Sequence, residues 1–325
     1  MNRTTLLLGT ALAFAAISAA RADTFNGTLY YTNSNGGPNV NAVNYSYDNT
    51  AVALSLTGQH NIVNSNGADG IIFDTNGNLL VGGQGANNVY QYTTAGALLS
   101  TGSLTTNSYH LALDPNGGKV YSSTFGGPLE TLALTPGLNN ATQTNISGGD
   151  NGITQVAFGT GSSVFYVNGS PNGGGNLGTI DLLTGATTRL WSSVGPAHGL
   201  VFDPFTGLMT MFGAGKTGTM SALDGSGLKL SGGFNGISDF DQGVVDGQGH
   251  ALIADPAQGS IVLLDYSTSH DITNPDHVLQ VGGFNGIDDV APLVGAGSLT
   301  GVPEPASLAL LATALFGLRT LRRRR

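Results

Sequence analysis

Short apolar runs alternate with turn-forming residues along the chain, and residues 68–92 show this pattern clearly. One apolar run ends at Asp74, and Gly77 can supply the positive φ of the tight turn that follows it. Three further short runs come next, one of which alternates apolar and polar residues with period two. The pattern predicts four antiparallel strands, at residues 70–73, 79–82, 89–92 and 97–100.

The same phrase recurs along the chain, which is the sequence signature of a repeat architecture. The residue that ends the first strand of each unit recurs at spacings of 40, 45, 44 and 43 residues. These strand-ending positions are Asp74, Asp114, Gly159, Asp203 and Asp246. Four short strands cannot cover both of their faces, so the units must pack on one another.

The two ends of the repeating region complete each other. Residues 288–293 have the pattern of a first strand with no second strand after it. Residues 27–31, 41–47 and 51–56 have the pattern of second, third and fourth strands with no first strand before them. If 288–293 pairs antiparallel beside 27–31, five whole blades and one composite blade close a ring without an open sheet edge. We therefore predict an all-β six-bladed β-propeller over residues 23–294.

Both ends of the chain have the features of processing segments. Residues 1–22 have a basic start, an apolar core of 12 residues and a final Ala20-Arg21-Ala22. They predict a signal helix that uses the Sec machinery, with a mature chain that begins at Asp23. A first transmembrane helix is the alternative, but the core is shorter than the roughly 20 residues that span a bilayer.

The C-terminal segment 302–325 carries the most specific motif of the chain. Pro303, Glu304 and Pro305 are followed by an apolar run and then by an arginine cluster at 322–325. This order closely resembles the PEP-CTERM sorting signal of Gram-negative bacteria. The resemblance implies recognition by an exosortase in the inner membrane, cleavage near the motif, and delivery to the cell surface or to an exopolysaccharide matrix.

A permanent tail anchor, with its arginines held in the cytoplasm, is the alternative for this segment. The apolar run 308–318 is short for a stable span, which favours a sorting helix that contacts the inner membrane transiently. Residues 295–301 are rich in glycine and predict a flexible linker. In both cases the propeller lies outside the cytoplasm, where we expect a monomer.

The charge of the region between the processing segments restricts its partners. Residues 23–302 keep four basic residues against 19 acidic ones, so their net charge is near −15. Such a surface repels phosphate backbones, which argues against nucleic acid as a partner. Cysteine is absent, so neither disulfides nor thiol chemistry can operate.

Several apparent motifs are better explained as turns. Residues 213–218 match G-x-G-x-x-G, but Thr210 stands where a P-loop needs its first glycine, and a strand rather than a helix follows. We predict a loop between the second and third strands of a blade. The Asp-containing turns at 74–78, 114–118, 203–207 and 246–250 lack the spaced oxygen ligands of an EF-hand, which favours hairpin turns.

One set of polar residues remains, because the fold gathers it. The inner strands of a propeller start around one mouth of the central channel, where ligand sites are common. Equivalent points of these strands carry Asp69, His198, Asp241 and Asp288, with His110 displaced by one position. The same points also include Tyr109 and Thr154, and neighbouring positions include Gln155, Gln242 and Asp289. This set can hold a hard or borderline divalent cation. The alternative is a water-filled channel lined by polar groups.

In the repeated unit, a hydrophobic strand is followed by an Asp-x-x-Gly turn and then by a second strand. Over residues 68–293 this pattern resembles the NHL and SMP-30/gluconolactonase-like propellers. The resemblance implies, for the gluconolactonase branch, a divalent metal held by a Glu, an Asn and an Asp, and lactone hydrolysis. The mature chain departs from that pattern, because its single Glu, Glu130, lies in a predicted third strand. The metal-binding Glu is therefore missing from the expected place.

Two functions from different classes follow from these observations. The first is a non-catalytic surface propeller that binds a glycan, an exopolysaccharide or another matrix component. The second is a secreted metal-dependent enzyme, a lactonase or lyase that acts on a sugar-derived or small ester-like substrate. A bound metal or a base with a shifted pKa at the channel mouth would indicate the enzyme. We favour the first function.

Overall fold

The computed structural model describes residues 24–34, 38–125, 127–139, 141–144, 150, 152–159, 163–170, 174–221 and 226–292. Every regular element in these ranges is a β-strand. Within the same ranges, no helix has the length and apolar character needed to cross a bilayer. The predicted signal helix 1–22, the linker 295–301 and the sorting tail 302–325 lie outside the described residues.

The strands form six antiparallel sheets of four strands each. The composite sheet uses β1 (Thr24–Asn33), β2 (Val40–Asp48) and β3 (Ala53–Val63). The next sheet contains β4 (Ile71–Phe73), β5 (Leu79–Gly83), β6 (Asn88–Tyr92) and β7 (Leu98–Ser103). The third contains β8 (Leu111–Leu113), β9 (Lys119–Ser122), β10 (Leu129–Ala133) and β11 (Thr142–Thr144).

The remaining sheets follow the same order along the chain. One contains β12 (Gln155–Phe158), β13 (Val164–Gly169), β14 (Gly175–Ile180) and β15 (Thr187–Trp191). The next contains β16 (Gly199–Asp203), β17 (Leu208–Gly213), β18 (Lys216–Ser221) and β19 (Lys229–Leu230). The last whole sheet contains β20 (Gly243–Val245), β21 (His250–Asp255), β22 (Ser260–Asp265) and β23 (His277–Gly282). Strand β24 (Ile287–Pro292) then returns to the composite sheet.

The composite blade closes the ring as the sequence predicts. Strand β24 pairs antiparallel with β1, with Tyr31 opposite Val290 and Leu29 opposite Pro292. The sheet order is β24-β1-β2-β3, so the last strand of the chain is the inner strand of the first blade. The predictions of a six-bladed propeller and of its closure are both confirmed.

The six inner strands surround the channel, and each contacts the inner strand of the next blade. The apolar core lies between adjacent blades, where side chains from two sheets pack face to face. Central strands such as β21 and β22 are buried along their whole length, whereas outer strand β23 alternates between half-buried and exposed positions. This difference follows from the alternation of side chains on a strand, because an outer strand has one face in solvent.

The predicted turns are present. Asp74 Oδ1 accepts hydrogen bonds from the backbone N–H groups of Asn76 and Asn78, both at 2.8 Å, and Gly77 has a φ of 78°. Segment 213–218 joins β17 directly to β18 through a two-residue turn, so it is the predicted loop and not a phosphate-binding loop. These turns are hairpins stabilised by side-chain caps.

Candidate functional site

The starts of the inner strands bring polar side chains from several blades together. Asp69 lies two residues before β4, His110 directly before β8, and His198 directly before β16. Asp241 lies two residues before β20, and Asp289 is the third residue of β24. Backbone hydrogen bonds connect these segments from blade to blade, such as the 2.5 Å bond from Gly70 N–H to the carbonyl of Tyr109. We name these five residues the channel cluster.

Two histidines of the channel cluster are oriented by backbone carbonyl groups. His110 Nδ1 lies 3.0 Å from the carbonyl oxygen of Thr154, and His198 Nδ1 lies 3.0 Å from that of Gly169. A carbonyl oxygen only accepts hydrogen bonds, so each Nδ1 must carry the hydrogen and donate it. In a neutral imidazole this leaves a lone pair on Nε2.

Both Nε2 atoms face the same carboxylate oxygen. His198 Nε2 lies 2.7 Å from Asp241 Oδ1, and His110 Nε2 lies 3.0 Å from it. The imidazole rings of the two histidines meet edge to face, with their centroids 4.7 Å apart. Two neutral imidazoles in this arrangement would direct lone pairs at a carboxylate, which repels them. The site therefore requires positive charge, either from protons on Nε2 or from a bound cation.

The protonation of the two histidines differs. Burial lowers the pKa of His198, but the charge and hydrogen bond of Asp241 outweigh burial and raise it overall. The pKa of His110 is lowered, because burial outweighs its hydrogen bond to Asp241. Burial tends to raise the pKa of Asp241, yet the two histidines together hold it well below its usual range. When only His198 carries a proton on Nε2, the lone pair of His110 Nε2 still faces the carboxylate of Asp241.

Two more carboxylates adjoin His110. One oxygen of Asp289 lies 3.7 Å from His110 Nε2, and Asp69, His110 and Asp289 each offer a ligand atom within 4.8 Å of the other two. Asp69 accepts a 2.9 Å hydrogen bond from the Gln84 amide. Asp289 is completely buried, and among the described residues neither of its oxygens has a hydrogen-bond partner. A buried carboxylate without a partner is costly, and a cation would compensate it.

The pKa values of these carboxylates respond to this crowding. The pKa of Asp69 is raised well above its usual value, first by burial and then by the charges of Asp288, Asp289 and Asp241. The pKa of Asp289 is raised by burial and by the charges of Asp241 and Asp288. Like charges in a buried site disfavour ionisation, and a bound cation would oppose that effect.

The structure brings together four of the five residues that the sequence selected as mouth residues: Asp69, His110, His198 and Asp241. Asp288 lies beside the cluster, buried and with one oxygen unpartnered, but its neighbour Asp289 offers the ligand atom near His110. The sequence places Asp289 at a neighbouring position, and a shift of one residue turns a side chain to the opposite face of a strand. Their role in ligand binding stays a prediction.

Two further residues of the site were missed in the sequence. Asp239 is buried, one of its oxygens lacks a partner among the described residues, and its pKa is raised by burial and then by Asp241. Phe125 is 46% exposed, and its ring stacks on His198 with centroids 5.6 Å apart. Asp239 precedes Asp241 by two positions in the segment that leads into β20, and this spacing was the signal available in the sequence. Phe125 lies in a loop of another blade, and the sequence contained no signal for its position beside His198.

The residues of the channel cluster are buried. All five residues of the channel cluster are at most 6% exposed, and Phe125 lies across the side of His198. The single Glu of the mature chain is not part of the cluster. Glu130 lies in third strand β10, as predicted, and its carboxylate accepts hydrogen bonds from the backbone and hydroxyl groups of Thr105 and Thr106 at 2.8–3.2 Å.

The donor atoms of the channel cluster fit a divalent metal. Spacings of 2.7–3.7 Å between His Nε2 and carboxylate oxygens are compatible with atoms about 2.0–2.2 Å from a common centre. Imidazole nitrogen suits zinc, copper, iron and nickel, and the Nδ1–H bonds to backbone carbonyls are the usual support of a metal-binding histidine. His110 has only one nitrogen without a carbonyl partner, so the two groups that share it are alternative positions for one ion.

Comparison with known proteins covers the sorting motif and the fold. Residues 301–325 match the PEP-CTERM protein-sorting motif, which implies exosortase processing and export to the cell surface. No curated protein matches the chain. The predicted sorting signal on a β-propeller is therefore confirmed.

Similar solved structures include virginiamycin B lyase from Staphylococcus aureus, with a TM-score of 0.51, 10% identity, and coverage of 80% of this chain and 89% of the lyase. A catalytically inactive variant of that lyase with quinupristin gives a TM-score of 0.52 at 10% identity, with the same coverage. Hydrazine synthase from Kuenenia stuttgartiensis gives 0.50 at 11% identity, covering 72% of this chain and 75% of that one. At such identities the likeness concerns the fold alone.

Proposed function

We propose that this protein is an exported, surface-sorted propeller that holds one divalent transition-metal ion in its channel cluster and acts as a non-catalytic binding protein. The observation that carries the proposal is the direction of two histidine Nε2 atoms at a single oxygen of Asp241 in a buried site. Asp289, buried and without a partner among the described residues, supplies a further carboxylate. With Asp69 and His110, Asp289 forms the alternative group of ligand residues.

The ligand types favour a transition metal over calcium or magnesium. Calcium and magnesium take oxygen ligands, whereas two imidazole nitrogens with carboxylates suit zinc, manganese, iron, cobalt or nickel. The net charge of the mature region adds a general attraction for cations.

Burial supports a structural rather than a catalytic ion. Structural metal sites are closed by protein ligands, while catalytic sites keep a position open to substrate. The channel cluster offers two overlapping groups of three ligand residues, and its residues are at most 6% exposed. An ion held by either group would connect the inner strands of three blades and leave the outer surface of the propeller to bind a partner.

A metal-dependent enzyme, lactonase or lyase-like, is the second candidate. Phe125 favours this second candidate. Its half-exposed ring stacks on His198 and lies between that histidine and solvent. A movement of that ring would open one side of the ion. Replacement of Phe125 by Ala would create such access, so a gain of hydrolase or lyase turnover in Phe125→Ala, dependent on added metal, would favour the enzyme.

The sorting signal places this function at the surface. We propose that the signal segment 1–22 is removed, that the propeller spans residues 23–294, and that the tail 302–325 is cleaved after transient contact with the inner membrane. A protein delivered in this way meets exopolysaccharide and other glycans, which we propose as its partners.

Metal analysis of the purified protein, followed by thermal unfolding, tests the metal proposal. After chelation, one of zinc, manganese, cobalt or nickel should raise the melting temperature by about 5–10 °C at roughly a hundredfold excess over Kd, since ligand binding to the folded state stabilises it. Calcium and magnesium should have little effect. His198→Gln should abolish the rise, whereas His277→Gln, on outer strand β23, should keep it. Equal responses of all three proteins to every metal, or no response in wild type, would overturn the proposal.

A further inference from the structure

Thr154 stands between the two histidines of the channel cluster in the order of the blades. It lies directly before inner strand β12, whereas His110 lies directly before β8 and His198 directly before β16. Strand β12 contacts both of these neighbouring inner strands. Thr154 is 1% exposed, so its polar groups must find their partners inside the protein.

The carbonyl group of Thr154 orients the first histidine. Its oxygen lies 3.0 Å from His110 Nδ1 and accepts the hydrogen bond of that nitrogen. The same oxygen accepts a hydrogen bond from the hydroxyl group of Ser123, which also lies 3.2 Å from the carbonyl oxygen of His110. The backbone of Thr154 therefore fixes the ring of His110 from a neighbouring blade.

The hydroxyl group of Thr154 contacts the second histidine. It lies 3.1 Å from the carbonyl oxygens of Val167 and His198, but it carries a single hydrogen. Because the Val167 carbonyl already accepts the N–H of Thr154 at 2.9 Å, His198 is the preferred acceptor of the hydroxyl hydrogen. The hydroxyl oxygen also accepts a 3.4 Å hydrogen bond from Gly169 N–H, and the Gly169 carbonyl accepts the Nδ1–H of His198 at 3.0 Å. The hydroxyl group is thus connected to both the backbone and the ring of His198.

We infer that Thr154 is a positioning residue of the metal site, which holds His110 through its carbonyl group and His198 through its hydroxyl group. The inference rests on the proposed metal function. It applies to an ion held by His110, His198 and Asp241, the group of ligand residues that contains both histidines. Groups that orient a metal-binding histidine matter to the ion, since their loss typically lowers metal affinity by about 10- to 100-fold.

Cobalt(II) and three variants of Thr154 test this role in the full-length protein. Thr154→Ser keeps the hydroxyl group, whereas Thr154→Val and Thr154→Ala remove it and keep the carbonyl group. Competition with a chelator measures the dissociation constant, and the visible spectrum of cobalt(II) reports the geometry of its ligands. Thr154→Val should bind cobalt(II) about 10- to 100-fold more weakly than wild type, with a changed spectrum, whereas Thr154→Ser should keep both properties. If Thr154→Val fails to fold, the pair of Thr154→Ala and Thr154→Ser decides.

Thr210→Val is the matched control. Thr210 lies in β17, is fully buried, and its hydroxyl group has no hydrogen-bond partner among the described residues. The same exchange at this position should leave the dissociation constant and the spectrum of cobalt(II) unchanged. Urea unfolding of the chelated variants separates stability from affinity, because a merely structural hydroxyl group would change the stability alone.

Three outcomes would overturn the inference. Folded variants without the hydroxyl group that bind cobalt(II) with wild-type affinity and spectrum would refute it, while the metal proposal would stand. Thr154→Ser that binds as weakly as Thr154→Val would show that the hydroxyl group is not responsible. A wild type that does not bind cobalt(II) would also overturn the inference, and the melting temperatures with the other metals then show whether the metal proposal fails too.

Discussion

At the scale of single residues, hydrogen bonds to backbone carbonyls decide which nitrogen of each histidine is available. Thr154 and Gly169 accept the Nδ1–H groups of His110 and His198, so Nε2 is the only nitrogen that can bind a metal or a proton donor. Each carbonyl belongs to a blade next to that of its histidine. The chemistry of the site therefore depends on contacts between blades and not on residues adjacent in the chain.

Replacement of Asp289 by Asn should change stability in opposite directions with and without metal. In chelated protein, Asp289→Asn removes a buried carboxylate that lacks a partner, so the free energy of unfolding should rise by about 1–3 kcal/mol. With metal present, the variant should lose most of the metal-dependent gain. Urea unfolding measures both effects, and Asp114→Asn at the far mouth is the charge-matched control. Destabilisation of the chelated variant would contradict this view of Asp289.

The buried carboxyl group of Asp255 predicts how the stability of the fold depends on pH. Burial raises its pKa to about 6, with a smaller contribution from the charge of Asp239. The folded pKa exceeds the unfolded value near 4, so this group stabilises the fold below about pH 4, and that contribution is lost as the pH rises through 6. Relative to Asp255→Asn, wild type should lose about 1–3 kcal/mol between pH 4 and 7. Parallel stability profiles of the two proteins in urea would contradict the prediction.

At the scale of elements, a repeated hexapeptide builds the same connection twice. Residues 232–237 and 282–287 have identical sequences, and each links an outer strand to the next inner strand. In both, the Phe N–H donates to a glycine carbonyl in the turn between strands two and three, at 3.3 Å from Phe234 and 2.9 Å from Phe284. Glycines with positive φ within each hexapeptide allow the chain to turn there, which explains why the same sequence occurs at both connections.

Strand β24 should control cooperative unfolding. A chain that ends at Gly286 would lose a strand whose side chains Ile287 and Val290 are at most 1% exposed, and would uncover the edge of β1. We expect loss of a single cooperative urea transition, or aggregation, monitored by Trp191 fluorescence and size-exclusion chromatography. A chain that ends at Gly301 is the matched control and should unfold like the full protein. Unchanged unfolding of the shorter chain would refute closure by β24.

At the scale of the whole molecule, the first and the last described strands end at the same mouth of the propeller. Strand β24 runs from the channel cluster towards the opposite mouth and ends there at Pro292, and β1 runs antiparallel to it from Thr24. Thr24 and Pro292 therefore lie at the same face. The channel cluster and Phe125 lie at the other face.

Sorting should remove both ends of the chain. In a host with an exosortase, the mass of the surface protein should fit a start at Asp23 and should lack residues 308–325. A double variant with Pro303→Ala and Pro305→Ala should keep its arginine-rich tail and remain with the membrane fraction. Intact mass spectrometry distinguishes these products, and a wild-type surface protein with an intact tail would count against cleavage.

The sequence by itself determined the number of blades, the order of strands and the closure of the ring. Those features depend on local signals: the alternation of apolar residues, turns such as that at Asp74, and a repeat of 40–45 residues that brings 288–293 back beside 27–31. The sorting motif was also readable, because it is one contiguous segment of the sequence. Four of five candidate site residues followed from strand register.

Only the tertiary structure decided which side chains the cluster contains. A shift of one residue reverses the face of a strand, so sequence could not choose between Asp288 and Asp289. The histidine tautomers depend on carbonyls from neighbouring blades, and Phe125 reaches His198 from a loop of a different blade. An apolar cavity of about 240 Å³ arises because five inner strands pack around one space, and no local pattern encodes such a space.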